Sequence, residues 1–285
     1  MIDEEVLAIS IGDVSDTELS NLGKYGAHKV ISYGSIDKSD NEVTSKIISD
    51  QSKDSSVIIF SNTYTAKMTS PRVSIRTGAS LITNVISVPE SNDIEVRRQS
   101  FSSKAIEMCK SMSDKTILSV SVNSFEVIEN PKEIVIDKVD FSDKGSLIIE
   151  NQETTTSKVS LSEAEIIVSA GRGLKGPDNW GMIEDLASLL NAATACSKPV
   201  SDIGWRPHSE HVGQTGKAVA PNLYIAIGIS GAIQHLAGVN SSKVMVAINT
   251  DPEAPFFKAA DYGIIGDAFE VVPKLIEEIK KFRNN

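Results

Sequence analysis

The chain has 285 residues, 40% of them apolar and 5% aromatic, with a formal net charge of −10. That apolar content suffices for one large domain or two ordinary ones, and the acidic balance argues against nucleic acid or an anionic membrane surface as the main partner while leaving room for a bound nucleotide, which needs only a local positive site. Two cysteines, Cys109 and Cys196, give neither a disulfide framework nor a metal pattern; no apolar run reaches the about 18 residues of a membrane span, and the acidic start Met1-Ile2-Asp3-Glu4-Glu5 is the reverse of a secretory signal, which points to a cytoplasmic chain.

The first half alternates short β-rich runs with helix-compatible stretches. Strands are expected at Val6–Ile11, Lys29–Tyr33, Val57–Phe60, Ile82–Val88 and Ile117–Val122, and helices at Asp16–Tyr25 and Asn41–Gln51. Such alternation indicates βαβ units and a parallel sheet. From Pro131 to Ser162 the pattern changes to short runs, Ile134–Val139 and Leu147–Glu150, read as antiparallel strands, with a connector at Glu150–Ser160. The reading is therefore an α/β chain of two domains, 1–160 and 161–285, each a mostly parallel sheet with flanking helices.

The second half is cleaner. Glu165–Ala170 reads as a strand, and Asp178–Ala195 as a helix capped by Asp178, with Ile183, Leu186, Leu190 and Ala193 at helical spacing. Leu223–Ile229 is apolar on both faces, as buried parallel strands are. A short helix at Ser230–Gly238, strands at Val244–Ile248 and Asp261–Ile265, and an amphipathic helix at Phe269–Phe282 complete the chain.

In a doubly wound sheet, ligands sit beyond the carboxyl ends of the strands. Gly171-Arg172-Gly173-Leu174-Lys175-Gly176 follows the first strand of this half and matches G-x-G-x-x-G, although Pro177 delays the helix. Its two cations suit a phosphate, or they are solvated charges on a glycine turn. Ser230-Gly231-Ala232-Ile233-Gln234-His235 follows the next strand, and its small residues admit a ligand to a helix start. His235 alone reads more readily as a structural histidine, since many histidines are satisfied locally. Asn249 with Asp251, and Gly266-Asp267-Ala268, end the last two strands. Four such loops on one sheet edge suggest an elongated ligand such as a dinucleotide. Ser230 lies in I-S-G rather than a hydrolase elbow, and His208 and His211 lack ligand company for a metal. No independent catalytic constellation and no metal site are expected.

The segments GRGLK, VGQTGK, LYIAIGISGAIQH, AIN-x-DPEAP-x-F and ADYGI-x-GD, in that order across 165–285, closely resemble the α subunit of electron-transfer flavoproteins. Ser70-Pro-Arg-Val-Ser-Ile-Arg-Thr-Gly-Ala79 extends the likeness, more loosely, into the first half. The resemblance implies a Rossmann-like C-terminal domain holding one non-covalent FAD per heterodimer, with AMP in a partner β subunit. It implies an electron carrier, rather than a substrate-converting enzyme, that takes electrons from acyl-CoA and other flavoprotein dehydrogenases of fatty acid β-oxidation and delivers them to a quinone oxidoreductase. Carried over residue by residue, Arg172 lies near the phosphates and flavin chain and Ser197 touches the flavin. Val212, Gly213, Gln214 and Thr215 line the redox ring, and Ser230, Gly231, Ala232, Ile233, Gln234 and His235 hold the pyrophosphate and pyrimidine edge. Asn249, Asp267 and Ala268 bind the adenosine end. Lys198 stands where members commonly carry Arg, so the charge survives without the planar fork. The chain also starts after the strand and helix with which members usually begin. The literal GRGLKG match keeps a pyridine-nucleotide dehydrogenase subunit as the alternative, and a non-redox nucleotide-binding subunit as a third reading.

Overall fold

The computed structural model describes residues 5–89, 93–101, 103–147, 150 and 160–284. The chain forms two compact units: Met1–Ser100 with Ile106–Gln152, and Phe101–Ala105 with Glu153–Asn285.

In the first unit, β1 (Leu7–Ile11), α1 (Asp16–Asn21), β2 (Lys29–Tyr33), α2 (Asn41–Gln51), β3 (Val57–Ser61), α3 (Tyr64–Thr77) and β4 (Ser80–Val85) alternate as expected. Helix α1 starts at a reciprocal capping box between Ser15 and Glu18, and a 3-10 turn, Leu22–Tyr25, continues it. Then come β5 (Glu95–Ser100), β6 (Ala105–Lys110), β7 (Thr116–Val120) and β8 (Val135–Lys138). The strands make two sheets, ordered β1-β2-β8 and β3-β7-β4-β5-β6. The expected antiparallel pairing of Ile134–Val139 is corrected here: β8 runs parallel to β2, with Lys29 opposite Val135. The antiparallel pairing lies earlier, between β4 and β5. Sequence shows a strand's periodicity but not its partner, and β8 adds to a sheet already parallel. The Leu147–Glu150 strand and the Glu150–Ser160 connector fall largely outside the described residues.

The second unit holds β9 (Ile166–Ala170), α4 (Gly181–Leu190), β10 (Ala193–Cys196), α5 (Lys198–Asp202), β11 (Leu223–Ile227), α6 (Ile233–Val239), β12 (Val244–Asn249), β13 (Tyr262–Ile265) and α7 (Ala268–Asn284). One wholly parallel sheet, ordered β10-β9-β11-β12-β13, carries them. Along β11 the side chains alternate between two cores. Tyr224 and Ala226 pack with Ile167, Ala247 and Phe256. Ile225 and Ile227 pack with Val168, Ile183 and Leu186 of α4, and Val272 of α7. Burial on both faces explains the unbroken apolar run of this strand.

The long helix expected at Asp178–Ala195 is shorter. A 3-10 turn, Pro177–Trp180, precedes α4, and among the described residues neither start has a side-chain cap, from Asp178 or any other. The helix ends at Asn191, whose φ of 52° is left-handed, and the chain turns into edge strand β10. Ala193 therefore belongs to the sheet rather than to the helix.

Candidate functional site

A cleft of about 610 Å³ opens beyond the carboxyl ends of β9, β10, β11 and β12. These four strands are neighbours in the sheet, so their loops form one continuous wall. The volume lies within the usual range of small-molecule sites.

The turn after β11 supplies the floor. Gly228, Ile229, Ser230 and Ala232 line the cleft, and Gln234 and His235 continue it into α6. Between Ser230 and Gln234, no backbone N–H donates to a backbone acceptor among the described residues. Free amides at the start of a helix suit an anion. Gly231 has a φ of +83°, which only glycine adopts readily. It does not line the cleft, however. A Cβ there would lie 2.4 Å from the Phe256 nitrogen, so this glycine admits the Phe256 backbone, whose N–H donates to the Ser230 carbonyl. Ile233 also points elsewhere and is 67% exposed.

The GRGLKG loop after β9 works differently from a dinucleotide turn. The Gly171 N–H donates to the Ile227 carbonyl and the Gly173 N–H to the Gly228 carbonyl. A Cβ on Gly171 would sit 2.3 Å from the Gly228 oxygen, and one on Gly173 would sit 2.6 Å from the Gly228 Cα. These glycines bring two sheet loops together, and two of their amides are already spent. The side chain that the loop offers the cleft is Arg172, exposed and without an ion pair among the described residues. Lys175, left-handed at φ 63°, is instead 3.1 Å from Asp267 and stacks on the Phe269 ring.

Asp267 is thereby accounted for. Its Oδ1 accepts from the Phe269 N–H at the start of α7 and its Oδ2 pairs with Lys175, and these bonds hold its carboxyl below the usual range. Ala268 is buried in the core beside Val272. Neither residue lines the cleft. Asn249 does, and its amide donates to the Ile229 carbonyl while its oxygen accepts from the Asp251 N–H. Thus the loop after β10 borders this cleft, whereas the loop after β13 does not.

The β10 loop contributes Ser197, Lys198 and Pro199. Ser197 is buried and its N–H donates to the Ala170 carbonyl, while Lys198 is exposed. Beneath them the Cys196 thiol is pushed up to about 12, first by burial and then by the charge of Glu210.

The last wall is the loop from His211 to Lys217. The Val212 N–H donates to the Cys196 carbonyl, which ties the loop to β10, and the Gln214 N–H donates to the Gln234 carbonyl, which ties it to α6. Val212, Gly213, Gln214 and Thr215 all line the cleft. His235 is buried, its Nε2 3.0 Å from the Tyr224 hydroxyl. Burial first, then the charge of His211, pulls its pKa down to about 4, only partly offset by the Val212 backbone.

Pro199, His211, Gly228 and Ile229 line the cleft without having been singled out for a ligand from the sequence. For His211 the available signal was its place directly before VGQTGK. Among the described residues, no three His, Cys, Asp or Glu side chains group to hold a metal, and no helix is long and apolar enough to cross a membrane.

The arrangement fits a long anionic cofactor. Free amides and the cations Arg172 and Lys198 face a cleft whose one carboxylate side chain is Asp251. Residues 160–240 match the "Electron transfer flavoprotein FAD-binding domain", and residues 2–144 match the "Electron transfer flavoprotein domain". The electron transfer flavoprotein subunit alpha of Bacillus subtilis is 39% identical over 98% of this chain and 89% of its own length. That of Thermoanaerobacterium thermosaccharolyticum is 36% identical over 97% of this chain and 88% of its own. That of Paracoccus denitrificans is 39% identical, covering 82% and 76% respectively. On this breadth of likeness, from the first domain through the cleft-forming loops, the chain belongs to the electron transfer flavoprotein α-subunit family.

Proposed function

We propose that this chain is the FAD-carrying subunit of an electron carrier, with residues 161–285 as the flavin domain and 1–160 as the other domain. The observation that carries the reading is the cleft itself: free amides and unpaired cations beyond the ends of four parallel strands, within the segment that matches a FAD-binding domain. The flavin supplies the redox chemistry; the chain binds it, orients it and sets its surroundings.

Ser230, Ala232, Gln234 and Arg172 hold the pyrophosphate. Val212 to Thr215, Ser197, Lys198 and His235 surround the redox ring. Asn249 lies toward the adenosine end. Gly231, Ile233, Asp267 and Ala268 act by shaping the turn and helix starts behind these residues.

A β-type subunit completes the site in a heterodimer and carries AMP. Electrons enter from acyl-CoA and other flavoprotein dehydrogenases of fatty acid β-oxidation and leave to a membrane-associated quinone oxidoreductase. The complex itself works in the cytoplasm.

Co-expression with a β-type chain tests the reading. The purified pair should show a flavin absorption band, bleach when an acyl-CoA dehydrogenase and its substrate are added, and recover with a quinone acceptor. The chain alone should lose FAD on gel filtration. A stable, colourless complex that retains a nicotinamide nucleotide instead would overturn the proposal. The alternative dehydrogenase reading has little structural support, because the amides of Gly171 and Gly173 are already bonded.

A further inference from the structure

His211 is a cleft residue whose ring nitrogens find no hydrogen-bond partner among the described residues. Its side chain is buried, only 7% exposed, and it borders the cleft. The following loop folds back over it. The Lys217 N–H donates to the His211 carbonyl, the Gly213 N–H to the Lys217 carbonyl and the Gly216 N–H to the Gly213 carbonyl. Glycine is required under this fold: a Cβ on Gly216 would sit 2.8 Å from the imidazole Cγ and Nδ1. A Cβ on Gly213 would lie 3.4 Å from Nε2 and 3.6 Å from the His235 Cα, so the imidazole and the start of α6 meet at this glycine.

The two buried histidines are used differently. His235 gives its Nε2 to Tyr224. Neither ring nitrogen of His211 bonds to a described residue, and neither is sealed away from open space. A buried polar ring without a protein partner is costly unless water or a ligand completes it. The charged and titratable groups around it are Lys198 and Asp202 on α5, His208 before it, and His235 on α6. Cys196, opposite it on β10, stays a neutral thiol.

We propose that His211 is a proton-binding residue of the cofactor site, taking up a proton from solvent when the bound flavin becomes more negative. This rests on the flavin reading of the cleft. The balance is simple: the electron comes from an external reductant, the proton comes from solvent, and it adds to a free imidazole nitrogen with no covalent bond to the cofactor. In the free chain, burial first and then Lys198 and His208 hold His211 below the ordinary histidine range, against Asp202. The imidazole is therefore neutral near pH 7, and added negative charge in the cleft draws it upward.

The test uses the full chain with its β-type partner and ¹³C-labelled histidine. The chain has four histidines, and His211→Gln assigns the signal. The signal should titrate below the ordinary range without FAD, move upward on loading FAD, and move further on dithionite reduction. The flavin midpoint potential should also depend more steeply on pH in the parent than in His211→Gln. The limit for one added proton per electron is about 59 mV per pH unit, a tenfold change in proton activity. Should His211→Gln fail to fold, substitution of His28, His208 and His235 in turn assigns the other three signals, the remaining one is His211, and the parent titration decides. A complex that binds and reduces FAD while the His211 signal stays fixed overturns this inference alone. A complex that never retains FAD overturns the flavin reading and this inference with it.

Discussion

Tyr224 and His235 form a buried polar pair, the hydroxyl 3.0 Å from Nε2. Phe256 stacks on Tyr224, with centroids 6.3 Å apart and the rings 3° from parallel. Burial pushes the phenol up and pulls His235 down to about 4, so both are neutral at pH 7. The unfolded histidine titrates near 6.5. Between 6.5 and about 4 the unfolded chain holds the proton and the folded chain does not. Stability therefore falls as pH drops through that window, by at most about 3 kcal/mol from this group. The urea midpoint should decline from pH 6.5 to pH 4, and His235→Gln should flatten part of the decline. Identical pH profiles for parent and variant would show that the folded imidazole accepts the proton freely.

Gly231→Val should unfold the turn after β11 rather than merely crowd a ligand. Its φ of +83° alone costs a branched residue about 1–2 kcal/mol. The new Cβ would also displace the Phe256 backbone from 2.4 Å. Both the melting temperature of the FAD-free chain and its flavin retention should drop. Normal stability with lost flavin would return the glycine to the phosphate's side of the turn.

Arg206 fastens the segment between α5 and the His211 loop. Its Nε and Nη2 donate to Glu210 at 2.8 and 2.5 Å, its Nη1 donates to Glu184 of α4 at 2.8 Å, and its guanidinium lies 5.5 Å from the Trp180 ring centre. The Glu184 side chain is 53% exposed and adds little. The two bonds to Glu210 are the better buried, and lysine cannot make both. Arg206→Lys should cost about 1–2 kcal/mol of stability, and the loop amides from 204 to 210 should exchange faster. Unchanged exchange rates in the variant would mean that packing alone holds the loop.

The sequence showed some elements well and others poorly, for physical reasons. Strands β9, β11 and β12 carry apolar runs that only a doubly covered sheet explains, so both the sheet and its ligand edge were legible. Strand β10 was missed because Ala193 continues the helical spacing of Leu190. The break depends on the left-handed Asn191, an identity tolerant of helix interior and cap alike. The glycines of GRGLKG look the same whether they approach a phosphate or another backbone, and only the nearby Gly228 separates the two. Asp267 reads as a residue of the adenosine end, and its bonds to Lys175 and to the Phe269 amide are not legible because they depend on where the β9 loop and the start of α7 meet. His211 looked like an isolated histidine because the residues that bury it are spread over α5, α6 and the glycine loop.

Lys198 should set much of the flavin potential, and its influence is measurable even without flavin. It lies in the cleft wall on α5, exposed, and its charge helps to hold His211 below the ordinary range. Lys198→Ala should therefore move the His211 titration upward in the FAD-free chain. In the loaded complex, an ammonium favours the reduced, more negative ring over the oxidised one. Two charges about 4 Å apart interact by about 4 kcal/mol at an effective dielectric near 20. Exposure of Lys198 to solvent cuts this to about 1–2 kcal/mol. At about 59 mV per tenfold change for one electron, that is roughly 40–90 mV. Lys198→Ala should lower the first reduction potential by tens of millivolts, and Lys198→Arg should retain most of it. Spectroelectrochemical titration of the three proteins, together with the His211 signal, separates the cases. A Lys198→Ala potential matching the parent, with His211 shifted as expected, would place the ammonium near the imidazole but turned away from the flavin. If neither quantity moves, Lys198 is a solvated surface charge.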